Sequence, residues 1–341
     1  MDVLRPRMLA VLTIVVQTIC ASAQSLPINW GEAPPEAPLS QLAKPEWFDV
    51  DGPERFEPIL GVEFGGIWLQ RSEDNTFPLV LDDSFTTLLS DSSILEPESA
   101  SGFRFALQLF NLSKHVPGLD TELIYFEVGD TVADKSLNAA NYPTASVLNT
   151  VFFQGVPASP VAANTFRVES DIESIEWNLN YRPMARLKLI SGLRLVNLEE
   201  DFDITDTGTL NGVFSNADNE FFGFQFGGEA TVWTNGVFRV FASGKYAFFD
   251  NDIDGTAVAQ NATIDFSGDE DASLFDLEIG VSGAISSVAT LQVAYQGLFL
   301  NDAASAVNQS NELTLFGSDN QAPALSDLEW HGLHFGITFV W

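Results

Sequence analysis

The chain has 341 residues, 45 % of them hydrophobic, with a mean hydropathy of +0.09 and a formal charge of −32 from 47 acidic and 15 basic side chains. That charge excludes nucleic acid as a partner, because a surface that holds phosphates must be basic. Beyond the first 25 residues no stretch has the roughly 18 consecutive apolar residues of a membrane-spanning helix.

At the N-terminus, Arg5 and Arg7 precede an apolar run from Met8 to Ile19, and Ala21-Ser22-Ala23 follows as an A-x-A cleavage pattern. This predicts a secretory signal peptide over 1–23. Cys20, the only cysteine, falls inside it, and Ile19 directly before it does not suit lipidation. The exported chain would then lack disulfides and thiolate metal sites. Pro27, Pro34, Pro35, Pro38, Pro45, Pro53 and Pro58 make 24–58 an extended periplasmic leader rather than a domain.

From 59 to 341 the apolar period is two, the signature of β-strands. It predicts ten strands, at 59–70, 103–112, 118–128, 172–181, 186–197, 221–233, 237–249, 273–284, 289–300 and 331–341. The connections alternate. Tight turns lie around Pro117-Gly118, at Arg182-Pro183-Met184-Ala185, at Thr234-Asn235-Gly236 and at 285–288. Long connections rich in Asp, Asn and Ser occupy 71–102, 129–171, 198–220, 250–272 and 301–330. Short turns at one end and long loops at the other predict an all-β, up-and-down antiparallel transmembrane barrel of about ten strands, with eight to twelve as the range. The alternative fold is a secreted soluble β-sandwich that binds ligands with its loops.

One face of every strand is apolar. Val62, Phe64 and Trp68, Phe222, Phe224 and Phe226, and Leu333, Phe335, Ile337, Phe339 and Trp341 are examples, and these rows are assigned to lipid. The other face carries Glu63, Arg104, Asp120, Glu122, Glu176, Arg182, Arg186, Lys188, Arg194, Glu229, Arg239, Lys245, Asp276 and Glu278. Equal numbers of acids and bases in a narrow barrel predict a lumen filled in part by ion pairs rather than a wide pore.

The strand Leu189-Ile190-Ser191-Gly192-Leu193-Arg194-Leu195-Val196-Asn197-Leu198-Glu199-Glu200 is followed by Asn219-Glu220-Phe221-Phe222-Gly223-Phe224-Gln225-Phe226-Gly227 and then by Gly244-Lys245. Over roughly 170–300 this resembles the planctomycete family of outer-membrane β-barrel porins, with Leu195 standing where that pattern has an aromatic. The resemblance implies a barrel in the outer membrane and says little about a solute. It also implies that the last strand, Phe335-Gly336-Ile337-Thr338-Phe339-Val340-Trp341, is recognised by the barrel-assembly machinery.

Catalytic chemistry has few candidates. His115 falls in a turn, and His331 and His334 fall at the outer end of the last strand. The alternative function is a rim-located hydrolase, since omptin proteases place Asp and His at the external rim of a ten-stranded barrel. Asp250, Asp252 and Asp254, with Gly255 after them, resemble the start of a calcium loop, but Asn261 stands where the bidentate Glu belongs and no helices flank it. An acidic loop tip is the preferred interpretation, with weak divalent-cation binding by the loops as a group. The expectation is therefore a non-enzymatic, porin-like passive channel or structural outer-membrane protein. It would carry no cofactor, and its partners would be lipid and either small solutes or divalent cations.

Overall fold

The computed structural model describes residues 59–73, 78–81, 88–91, 95, 99–113, 115–138, 141, 149–152, 156–157, 163–206, 213–235, 237–259, 262–312 and 322–341. The segments read as signal peptide and leader, 1–58, lie outside the described residues. Among the described residues, fourteen strands run in chain order as β1 (Ile59–Glu73), β2 (Pro78–Leu81), β3 (Leu88–Asp91), β4 (Ala100–Phe110), β5 (Leu119–Asn138), β6 (Asn149–Phe152) and β7 (Val156–Pro157), then β8 (Ala163–Met184), β9 (Leu187–Asp206), β10 (Val213–Thr234), β11 (Phe238–Ala259), β12 (Ala262–Ala284), β13 (Ala289–Ala304) and β14 (Leu325–Val340). A short helix, α1 (Ala306–Glu312), precedes β14.

Ten of these strands close into an antiparallel barrel in the order β1-β14-β13-β12-β11-β10-β9-β8-β5-β4. They are the ten strands predicted from the sequence, and the closed ring replaces the sandwich alternative. The first and last strands seal it, with backbone hydrogen bonds exchanged between Leu60 and Trp341 at 3.2 and 3.1 Å. Closure leaves no strand edge for a bilayer to solvate. The remaining strands form a small separate sheet, β3-β2-β6-β7, from the first two long connections.

The short turns, the start of β1 and the end of β14 share one end of the barrel, called here the near end. At the β4–β5 turn Gly118 has φ +76°, and a Cβ there would come within 2.8 Å of the Arg182 carbonyl, so glycine is required. At the β10–β11 turn the Asn235 side-chain oxygen accepts from the Val237 and Phe238 amides at 3.1 and 2.8 Å.

The far end corrects the sequence expectation. Most of the predicted long loops are strand. Positions 250–272 are β11 and β12 with only 260–261 between them, and 198–220 are β9 and β10 with only 207–212 between them. Along β11 the reason is visible. Outward positions are apolar from Phe238 to Phe248, then become Asp250, Asp252 and Asp254. Inward positions change the opposite way, from Arg239 and Lys245 to Phe249, Ile253 and Ala257. The apolar face thus switches sides at about residue 249. Below that point the barrel is a membrane barrel, and above it the barrel has a core inside and charge outside, as a protein in water does. The lower segment of about eleven residues spans about 25–28 Å at a tilt near 40°, the height of an outer-membrane apolar band.

Candidate functional site

The lumen is built from inward-facing side chains and is stacked in five layers. Nearest the turns is an open chamber of about 110 Å³. It is walled by three sets of ion pairs. Asp120 pairs with Arg182, whose guanidinium lies over the Phe110 ring. Glu229 takes both Lys188 at 2.9 Å and Arg239 at 3.0 Å. Arg104 binds Glu63 at 3.1 Å. His334 completes that last group, with its ring nitrogens 3.4 Å from Glu63 and from Glu278. Gly65 makes room for the ring, since a Cβ there would meet His334 Nε2 at 2.8 Å.

The chamber floor is a fully buried network centred on Glu176. Its carboxylate accepts from Lys245 Nζ at 2.9 and 2.8 Å, Gln225 Nε2 at 2.9 Å and Asn178 Nδ2 at 3.1 Å. Arg194 lies 3.4 Å away and reaches Asp276 at 3.0 Å, which Lys245 also contacts at 3.0 Å. The bonds from Glu176 to Lys245 and Gln225 and from Arg194 to Asp276 join strands that are not neighbours in the ring, so they run across the lumen as struts.

Above the floor lies an apolar septum to which all ten barrel strands contribute. Ile67 and Leu69, Ala100, Phe126 and Val128, Ile172, Val196 and Leu198, Phe221, Phe249, Leu274, Leu298 and Leu300, and Leu328 and Trp330 form one buried cluster. Over it sits a thin polar layer, where Arg71 pairs with Glu200. Glu200 also accepts from Ser305 Oγ at 2.8 Å and the Val307 amide at 3.3 Å. Asn219 exchanges bonds with the Ala304 amide at 2.7 Å and carbonyl at 2.9 Å. A second apolar cluster closes the far end, with Phe166, Phe202, Ile253 and Phe266 packed around Ala306 and Val307 of α1.

Of the fourteen charged residues assigned to the lumen, the structure brings Glu63, Arg104, Asp120, Glu122, Glu176, Arg182, Lys188, Arg194, Glu229, Arg239, Lys245, Asp276 and Glu278 together inside the near half. Arg186 is the correction. It lies in the two-residue turn 185–186 between β8 and β9 and is exposed, because the strand ends before its alternation can place it inside. The calcium-loop resemblance is also corrected. Asp250, Asp252 and Asp254 are successive outward residues of β11, about 7 Å apart, and cannot converge on one ion. Among the described residues no group of three His, Cys, Asp or Glu could hold a metal. His331 faces outward, whereas His334 is buried in the lumen rather than at a rim.

Three ionisable groups were not assigned to the lumen by sequence reasoning, namely Arg71, Glu200 and His334, and neither were the amides of Asn178, Asn180, Asn219 and Gln225. Strand parity would have found each. Arg71 continues the row Glu63, Ile67, Leu69, and Glu200 continues the row Arg194, Val196, Leu198, in both cases just past the predicted strand end.

No protein-family model and no curated protein sequence matches the chain. Among solved structures it is similar to the outer membrane protease OmpT from Escherichia coli, with a TM-score of 0.48 at 8 % identity, covering 86 % of this chain and 100 % of that one. A major outer membrane protein from Thermus thermophilus gives 0.33 at 8 % identity, covering 84 % and 100 %. The toluene transporter TodX of Pseudomonas putida gives 0.28 at 8 % identity, covering 87 % and 92 %.

Proposed function

We propose that this chain is a closed, structural β-barrel of the outer membrane, non-enzymatic, with its near end facing the periplasm and its acidic far half outside. The observation that carries this reading is the septum. Among the described residues, a layer of buried aliphatic and aromatic side chains from every barrel strand leaves no polar path for a solute, and ion-pair struts brace the lumen below it. A general diffusion pore needs a polar, water-filled lumen throughout.

The outer-membrane location and kinship with the planctomycete porin-like barrels rest on the motifs around Leu189–Glu200 and 219–227, on the exposed aromatic belt and on the aromatic C-terminal strand. The non-enzymatic role rests on the histidines. His115 is in a near-end turn, His331 faces outward and His334 is enclosed between two carboxylates, so none stands at the far rim.

Reconstitution in planar bilayers tests the proposal. The expected trace stays at baseline, and stable unitary steps of porin size at any voltage would refute it.

A further inference from the structure

We propose that the periplasm-facing chamber binds the ammonium group of a small amine between Glu122 and Asn180. Inside the chamber the other carboxylates each contact a cation or an imidazole. Glu63 has Arg104, Asp120 has Arg182, and Glu229 has both Lys188 and Arg239. Glu278 has His334 and the Gln292 amide at 2.8 Å. Glu122 differs. Among the described residues no ion-pair contact within 4 Å reaches it, Lys188 attracts it only from beyond that distance, and its carboxylate accepts one hydrogen bond, from Asn178 Nδ2 at 3.2 Å. It is nonetheless only 6 % exposed. A buried carboxylate with most of its acceptor capacity unused is costly unless a cation supplies donors.

Asn180 supplies the second, independent observation. It is 2 % exposed, lines the same chamber, and its Oδ1 has no hydrogen-bond partner among the described residues. The β5–β8 register sets Glu122 opposite Asn178 and Asp120 opposite Asn180. Glu122 and Asn180 are therefore diagonal neighbours on the inward face, about 7–8 Å apart or less, within reach of one small ligand.

Two buried acceptors, one of them charged, call for an occupant that is cationic and offers only donors. A primary ammonium, with three N–H donors and no acceptor, has that chemistry. An anion would have to compete with the carboxylates that the four chamber cations just named already contact, Glu229 being shared by Lys188 and Arg239. A metal ion would need several oxygen ligands converging on one point, and no such group exists among the described residues.

The test uses the full chain refolded in detergent at low salt, titrated calorimetrically with ethylamine and separately with acetate. Saturable binding of ethylamine and none of acetate is expected. Glu122→Gln, which keeps the shape and removes the charge, should weaken binding about 10- to 100-fold. Asn180→Leu should weaken it severalfold, and Glu329→Gln, on the outward face of β14, should leave it unchanged. Absence of saturable ethylamine binding to the wild type overturns the proposal, as does wild-type affinity in Glu122→Gln. If that variant does not fold, Asn180→Leu decides alone, and unchanged affinity there overturns it equally.

Discussion

Glu176 shows what a single side chain does in this lumen. Its carboxylate is fully buried and is held by Lys245, Gln225 and Asn178, with Arg194 beside it. Desolvating such a group is tolerable only while its cations remain. Glu176→Gln strands Lys245 and Arg194 against Asp276 alone and should destabilise the barrel by about 3–5 kcal/mol. Adding Lys245→Met should recover part of the loss, because the second uncompensated charge goes too. Urea unfolding in detergent micelles measures both. Asp201 is a contrasting case, on the outward face above the apolar belt. Partial burial first, then Asp203, Asp218, Glu169 and Glu199, push its carboxyl from 3.8 up to about 6. The folded state thus holds this proton more tightly than the unfolded state. The resulting stability is present below about pH 4 and is lost as pH rises through 6. Asp201→Asn should therefore raise the melting temperature at pH 7.5 and leave it unchanged near pH 4.

At the scale of elements, α1 is the piece that the far half is closed with. Seven residues cannot hold a helix alone in water. What holds α1 is its packing through Ala306 and Val307 and the attachment of its first turn to Glu200, itself paired with Arg71 from the opposite side of the ring. Glu200→Ala should release this attachment and speed amide exchange across 304–309 by at least about tenfold, while the amides of β10 and β11 near Phe224 and Phe248 stay protected. Neither the helix nor its inward position was legible in the sequence. A segment of seven residues is too short to show a 3.6-residue period, and its burial depends on Glu200, more than a hundred positions away. The ten strands were legible, because Phe222, Phe224 and Phe226 alternate without interruption, and Leu187, Leu189, Leu193 and Leu195 alternate with only Ser191 between them. The strand ends were not. The switch of the apolar face at Phe248 and Phe249 breaks the very periodicity by which a strand is recognised, so its acidic continuation through Asp250, Asp252 and Asp254 looks like loop. Arg186 was misplaced at the other end for the opposite reason, because alternation was carried one residue beyond the strand.

For the molecule as a whole, that switch creates two barrels in one. The near half turns its apolar side chains to lipid and pairs its charges within, and the far half turns its apolar side chains inward and its acids to water. Of the two seals, only the far one contains a segment that could move, because α1 is joined to the wall through the polar layer. The septum is made of wall residues such as Leu69, Phe126, Phe249 and Trp330, and no loop needs to fold for it to exist. The two seals are therefore separable by experiment. Arg71→Leu together with Glu200→Ala should loosen α1 and yet leave planar bilayers silent, because the septum lies beneath. Adding Trp330→Ala removes the largest side chain of the septum at a cost of about 3–5 kcal/mol. That triple variant should admit water and small ions. Conductance in the double variant would make α1 the true closure, and silence in both would place the barrier in the ion-pair struts around Glu176.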